Sequence, residues 1–83
     1  MTLLYFAWVR QVIGKHEEHI VLPPGITDAR GLIAHLRGLG PNYATALGDE
    51  NRLRLAINQR HAGLEAPIAE GDEVAIFPPV TGG

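Results

Sequence analysis

Few residues in this chain could do chemistry, and the types that are missing narrow the field first. Its 83 residues contain no cysteine and no serine, which excludes disulfides, thiolate metal sites, triad hydrolysis and thiol-borne sulfur. Four histidines remain: His16, His19, His35 and His61. His16 and His19 stand three apart in a stretch that reads as strand, and an odd spacing sends them to opposite faces, so no paired metal site is expected there. His35 lies off the apolar stripe of a helix, and His61 falls in a turn after a strand, where an interface residue would also fit. Glu70, Asp72 and Glu73 could form an acid–base cluster, but Glu70-Gly71-Asp72 is accounted for more simply by turn chemistry. What is left is the end of the chain, Phe77-Pro78-Pro79-Val80-Thr81-Gly82-Gly83.

Two prolines after Phe77 fix φ near the polyproline value and remove two donors, so the chain leaves the body extended rather than continuing as a paired strand. From Pro79 to Gly83 the reach is roughly 15 Å at about 3.3 Å per residue. Gly82 and Gly83 are backbone only and can enter a channel too narrow for other residues. A terminal carboxylate is ionised at neutral pH, hence a competent nucleophile toward the α-phosphate of ATP and a poor acyl acceptor until activated. Adenylation would give a mixed anhydride open to attack by sulfur, with no Cβ crowding the acyl carbon of Gly83. The alternative is an inert, frayed Gly-Gly end.

At 83 residues the chain makes one small domain with one core. Its 46% apolar and 19% charged content is that of a globular protein. A formal net charge of −2 gives no basic footprint for nucleic acid. Arg10 and Lys15 interrupt the first apolar run, no cationic leader precedes it, and a cytoplasmic protein with no membrane partner is expected.

Strand formers fill Thr2–Val9, apolar on both parities, and Glu18–Leu22 alternates, which predicts an N-terminal hairpin with a short connection. Pro23-Pro24-Gly25 ends it. Thr27 or Asp28 can cap a helix of about twelve residues in which Ala29, Leu32, Ile33, Leu36 and Leu39 recur at helical spacing, closed by Gly40-Pro41. Asn42–Leu47 could form one more short helical turn. Leu53, Leu55 and Ile57 alternate with Arg52, Arg54 and Ala56 as a third strand. Gly63 through Pro67 reads as loop, and Val74 and Ile76 alternate with Ala75 and Phe77 in a last strand. Arg52, Arg54 and Arg60 read best as a solvated face.

One helix covers one face of a sheet and leaves the other partly open. The first and last strands, apolar on both parities, belong side by side in the middle, parallel, joined by a right-handed crossover. The expected fold is α+β, a β-grasp with a mixed four- to five-stranded sheet and one main helix on one face. Residues 1–78 would be the domain and 79–83 an extended tail.

The terminal Phe-Pro-Pro-Val-Thr-Gly-Gly, preceded by Glu70-Gly71-Asp72-Glu73-Val74-Ala75-Ile76, resembles the small subunits of molybdopterin synthase, a ubiquitin-like sulfur carrier family. Phe6-Ala7 and Val9-Arg10 in the first strand and Ala56-Ile57-Asn58-Gln59 in the third extend the likeness over nearly the whole chain, with no matching motif from about Gly40 to Asn51. The resemblance implies a non-catalytic carrier that binds no cofactor itself. Gly83 would be adenylated with ATP by a ubiquitin-activator-like adenylyltransferase and converted to a thiocarboxylate. Gly82 would give clearance as the tail enters the large synthase subunit, in a heterotetramer where the sulfur builds the dithiolene. Phe77, Pro78, Pro79, Val80, Thr81, Phe6 and Arg10 would be partner contacts. Carriers for thiamine or transfer-RNA thiolation, and a β-grasp binding module with an inert tail, are the other readings; the Phe-Pro-Pro-Val-Thr segment favours molybdopterin over the first two.

Overall fold

A computed structural model describes residues 1–79. The elements in chain order are β1 (Thr2–Tyr5), α1 (Ala7–Ile13), β2 (Glu17–His19), α2 (Ala29–Arg37), α3 (Pro41–Leu47), a 3-10 turn (Glu50–Arg52), β3 (Arg54–Ile57), β4 (Arg60–Ala62) and β5 (Glu73–Phe77). The strands form one mixed sheet in the order β2-β1-β5-β3-β4. β1 and β5 lie parallel at its centre, Leu3 opposite Val74 and Tyr5 opposite Ile76, as their two-sided apolar pattern requires. The flanking pairs are antiparallel.

The expected hairpin is instead strand, helix, strand. β1 stops at Tyr5 because Ala7 takes φ 55, a left-handed conformation that breaks the extended run. α1 then buries Val9 and Ile13, four apart, and ends at Gly14, whose φ of 87 suits glycine and whose N–H bonds to the Arg10 carbonyl. The β-branched and aromatic residues of this segment have strand propensity, yet their burial follows the helical period.

α2 spans nine residues, not about twelve. Asp28 is its N-cap, its carboxylate accepting from Gly31 N at 2.9 Å. Leu32, Ile33 and Leu36 are fully buried, whereas Leu39, beyond the helix end, is 48% exposed and lies outside the stripe. Gly40-Pro41 ends one helix and begins another: Pro41 is the first residue of α3, where its missing N–H costs nothing, and Tyr43, Ala46 and Leu47 turn inward. The one main helix is therefore joined on the inner face by α1, where strand was expected, and by α3, where the sequence suggests one short helical turn at Asn42–Leu47.

β4 is an addition to the expected strands. Asn58 and Gln59 both have positive φ, 51° and 69°, making a two-residue turn between β3 and β4 that lacks the usual glycine. Asn58 is held in place from three sides: its N–H donates to the Glu73 carbonyl, its Oδ1 accepts from Glu73 N, and its Nδ2 donates to Asp72. His61 consequently sits in a strand, not in a turn.

The core gathers Leu3, Tyr5, Val9, Ile13, Leu32, Ile33, Leu36, Leu47, Leu55, Val74 and Ile76 into one cluster. Leu4, Ala56, Ala75 and Phe77 alternate with core residues on their strands and fall outside that cluster, on the opposite face of the sheet. No described helix is long and apolar enough to cross a membrane.

Candidate functional site: the open face and the root of the tail

The register lays one row straight across the open face: Glu17, Leu4, Ala75, Ala56 and His61, on β2, β1, β5, β3 and β4. Its centre, Leu4, Ala75 and Ala56, is apolar. Phe77 lies at one end of the central strand, opposite Arg54 on β3. Its ring meets that of His61 edge to face, with centroids 5.8 Å apart and planes at 78°.

Phe6 stands at the same end. Its N–H donates to the Ile76 carbonyl at 3.2 Å, carrying the parallel ladder one step past β1. Its φ and ψ of −130° and 157° are still extended, and it serves as N-cap of α1 without a side-chain cap. Strand alternation aims the ring away from the core, and the left-handed Ala7 turns the chain away before another residue can cover it; Phe6 is 47% exposed. The structure thus brings Phe6 and Phe77 together around the point where the tail leaves, Phe6 exposed and Phe77 half-buried. Pro78 and Pro79 are half-buried where they follow β5. The expectations for Val80, Thr81, Gly82 and Gly83 lie outside the described residues.

Arg10 lies on the exposed side of α1 and forms no ion pair among the described residues. Arg52 is also more than a solvated charge: its guanidinium lies 4.9 Å from the centroid of the Trp8 ring. Arg54 donates to the Leu53 carbonyl at 2.8 Å, which fixes it beside Phe77.

Beneath this end of the sheet is a polar cluster that the strand pattern did not single out. Glu18, on the inner side of β2, accepts from Tyr5 at 2.8 Å and from Tyr43 at 2.6 Å on one carboxylate oxygen, and from Lys15 at 3.0 Å on the other. Burial pushes the Glu18 carboxyl up, but hydrogen bonds from Tyr43, Tyr5 and Lys15 together outweigh it and hold the group below the usual carboxylate range. Burial, then Glu18, pushes both phenols up, so Tyr5 and Tyr43 stay protonated and act as donors. A signal for it existed in an inward-facing acid opposite Leu3, but naming its partners required the position of α3.

A family model described as the ThiS family matches residues 3–83. The chain belongs to that family. It is 40% identical over 83 residues to the molybdopterin synthase sulfur carrier subunit of Haemophilus influenzae, spanning 100% of this chain and 99% of the relative. The protein of the same name from Escherichia coli is 37% identical with the same coverage. Among solved structures, a putative molybdopterin converting factor subunit 1 from Pyrococcus furiosus superposes with a TM-score of 0.75 at 31% identity, over 95% of each chain. The fold is that of the ubiquitin-like β-grasp proteins, as the sequence predicts, with α1 as the helix the sequence did not suggest.

Proposed function

We propose that this ThiS-family chain carries sulfur for molybdenum cofactor biosynthesis as a thiocarboxylate on Gly83. The carrier role rests on likeness over the full length to the sulfur carrier subunits of molybdopterin synthase. The observation that supports the chemistry is the course of β5. This strand runs from the middle of the core through Ile76 and Phe77 straight into Pro78-Pro79, flanked by β1 and β3, so the root of the tail is fixed on both sides. A stiff root lets a short backbone-only tip be presented at a set distance from a docked face.

In the proposed sequence a Gly83 carboxylate oxygen attacks the α-phosphate of ATP in the site of an adenylyltransferase partner, and pyrophosphate leaves. Hydrosulfide then attacks the acyl carbon, the acyl–phosphate bond breaks, AMP leaves, a proton is lost, and a thiocarboxylate remains. The large subunit of the synthase, docked on Phe6, Phe77 and the apolar row between β1 and β3, receives the tail; the thiocarboxylate sulfur bonds to a pterin carbon, and water attacks the acyl carbon, breaking its bond to sulfur and returning Gly83 to a carboxylate. The chain supplies positioning and the acyl group, and catalysis belongs to its partners.

Intact mass tests this. After incubation with ATP, the adenylyltransferase and a sulfur source, the chain should gain about 16 Da, the difference between oxygen and sulfur, located by fragmentation in the last residues. A gain located at Met1 is methionine oxidation, and an unmodified tail under these conditions would overturn the proposal.

A further inference from the structure

The docking face carries one titratable ring at a place where every immediate neighbour in its row is apolar. His61 lies opposite Ala56, which lies opposite Ala75, and its ring packs on the edge of Phe77. It forms no hydrogen bond or ion pair among the described residues, although it is exposed. The charged groups around it are few. From β3, Arg54 is the diagonal neighbour on the same face; from β5, Glu73 lies one step beyond Ala75 on that face; on β4 itself, Arg60 precedes it and points to the other side. Glu73 sits at the end of β5 remote from Phe77, while Arg54 is level with Phe77. The nearer charge is therefore a second cation.

Histidine is the side chain whose charge ordinarily changes between pH 5 and 8. A neutral imidazole packs against a phenyl edge as one more flat ring, and an imidazolium buried under an apolar partner without a counter-ion is expelled. We propose that His61 sets the partner chemistry of this face: it docks neutral against an apolar patch that offers it no carboxylate, so that taking up a proton releases the partner. The occupant is the protein that receives the tail, because Phe77 belongs both to this patch and to the strand that feeds the tail. The inference rests on the proposed docking of the large synthase subunit.

The test is a titration of the full chain against the large subunit at several pH values between 5.5 and 8, for the wild type, H61L, H61K and F6A. A group that must be neutral in the complex weakens binding by about tenfold for each pH unit below its titration midpoint. The wild type should bind at least about tenfold more weakly at pH 5.5 than at pH 8, H61L tightly with a flatter profile, and H61K weakly throughout. A wild-type profile unchanged in H61L places the titrating group elsewhere and overturns the proposal, and so does binding that tightens in acid, which would reveal a carboxylate facing His61. F6A separates the two levels. If F6A and H61L both bind like the wild type at every pH, the face is not the docking surface and the underlying reading fails; if F6A weakens binding while H61L keeps the wild-type pH profile and H61K binds like the wild type, the His61 inference alone fails.

Discussion

The Tyr43 hydroxyl donates to Glu18 at 2.6 Å, and through that bond α3 is tied to the edge strand of the sheet. Tyr43 comes from the stretch that matched no motif, Glu18 from β2, and the Asn42 side chain adds a bond to the Ile13 carbonyl at the end of α1. The helix that begins at Pro41 is thus fastened to both segments that flank the Gly14 turn. These contacts hold α1, and with it Phe6 and Arg10, at the end of the sheet where the tail departs.

The first prediction concerns acid stability. Because the Glu18 carboxyl is held below its ordinary value in the fold, the unfolded chain takes up this proton at higher pH than the folded one. The contribution of Glu18 is then fully present above the ordinary carboxylate range, near 4.3, and is lost as pH falls through the lower folded value. Replacing it in E18Q should cost about 1.5–3 kcal/mol at pH 7, the range for hydrogen bonds to a charged group. Urea unfolding followed from pH 7 to pH 3 should show the gap between wild type and E18Q closing at the acid end. A gap as wide at pH 3 as at pH 7 would mean that ionised Glu18 does not hold the cluster.

The central pair of strands and the α2 stripe were legible in the sequence because each has an unambiguous period: Val74 and Ile76 inward, Leu32, Ile33 and Leu36 on one side of a helix. Phe6–Val9 reads as strand, and the residues up to Ile13 as a short connection, because aromatic and β-branched residues favour strands, while the feature that decides the matter is one left-handed residue, Ala7, which is not a type that announces φ > 0. The β3–β4 turn was hidden for the same reason, since Asn58-Gln59 lacks the glycine that marks such turns and is sustained instead by bonds to Asp72 and Glu73 from across the sheet. The site divides in the same way. The resemblance names Phe6 and Phe77, and the structure leaves Phe6 exposed and Phe77 half-buried, while the His61 and Phe77 contact depends on a strand that only tertiary pairing creates.

A second prediction addresses α2. Asp28 is its N-cap, and it also bridges to Pro67, so the cap helps to seat the 64–68 loop against the helix. D28A should destabilise the fold by about 1 kcal/mol, lowering Tm by roughly 4–8 °C for a domain of this size. D28N, which keeps an acceptor for Gly31 N, should lose far less. Equal losses in the two variants would show that the cap bond is not the cause.

A third prediction separates docking from stability. Phe6 is nearly half exposed and lies outside the core cluster, so F6A should leave urea unfolding nearly unchanged while weakening association with the large synthase subunit by about 1–3 kcal/mol, as for other aromatic anchors. By contrast L36A, which removes a fully buried side chain, should cost about 2–5 kcal/mol of stability. Measuring both variants by calorimetric binding and by unfolding checks the contrast; a loss of stability in F6A comparable to that in L36A would make Phe6 a core residue in effect.

The last prediction concerns the terminus. Deleting Gly83 draws the carboxylate back by about 3.3 Å, more than reacting atoms in an aligned complex tolerate. β5, Phe77 and Phe6 are untouched by the deletion, so the docking face persists and binding to the large subunit should survive, reduced only by what the last residue contributes. Adding one residue after Gly83 should be as damaging to the chemistry, because the acyl carbon of Gly83 is then locked in an amide. Each variant is incubated with ATP and the adenylyltransferase, acyl-adenylate formation is followed by pyrophosphate release, and binding is assayed separately. Loss of adenylation with retained binding is the expected pair of results. Adenylation of either variant at the wild-type rate would show that the position of the terminal carboxylate is immaterial and overturn the prediction, whereas a wild-type tail that is itself never adenylated would leave the chain a β-grasp binding module rather than a carrier.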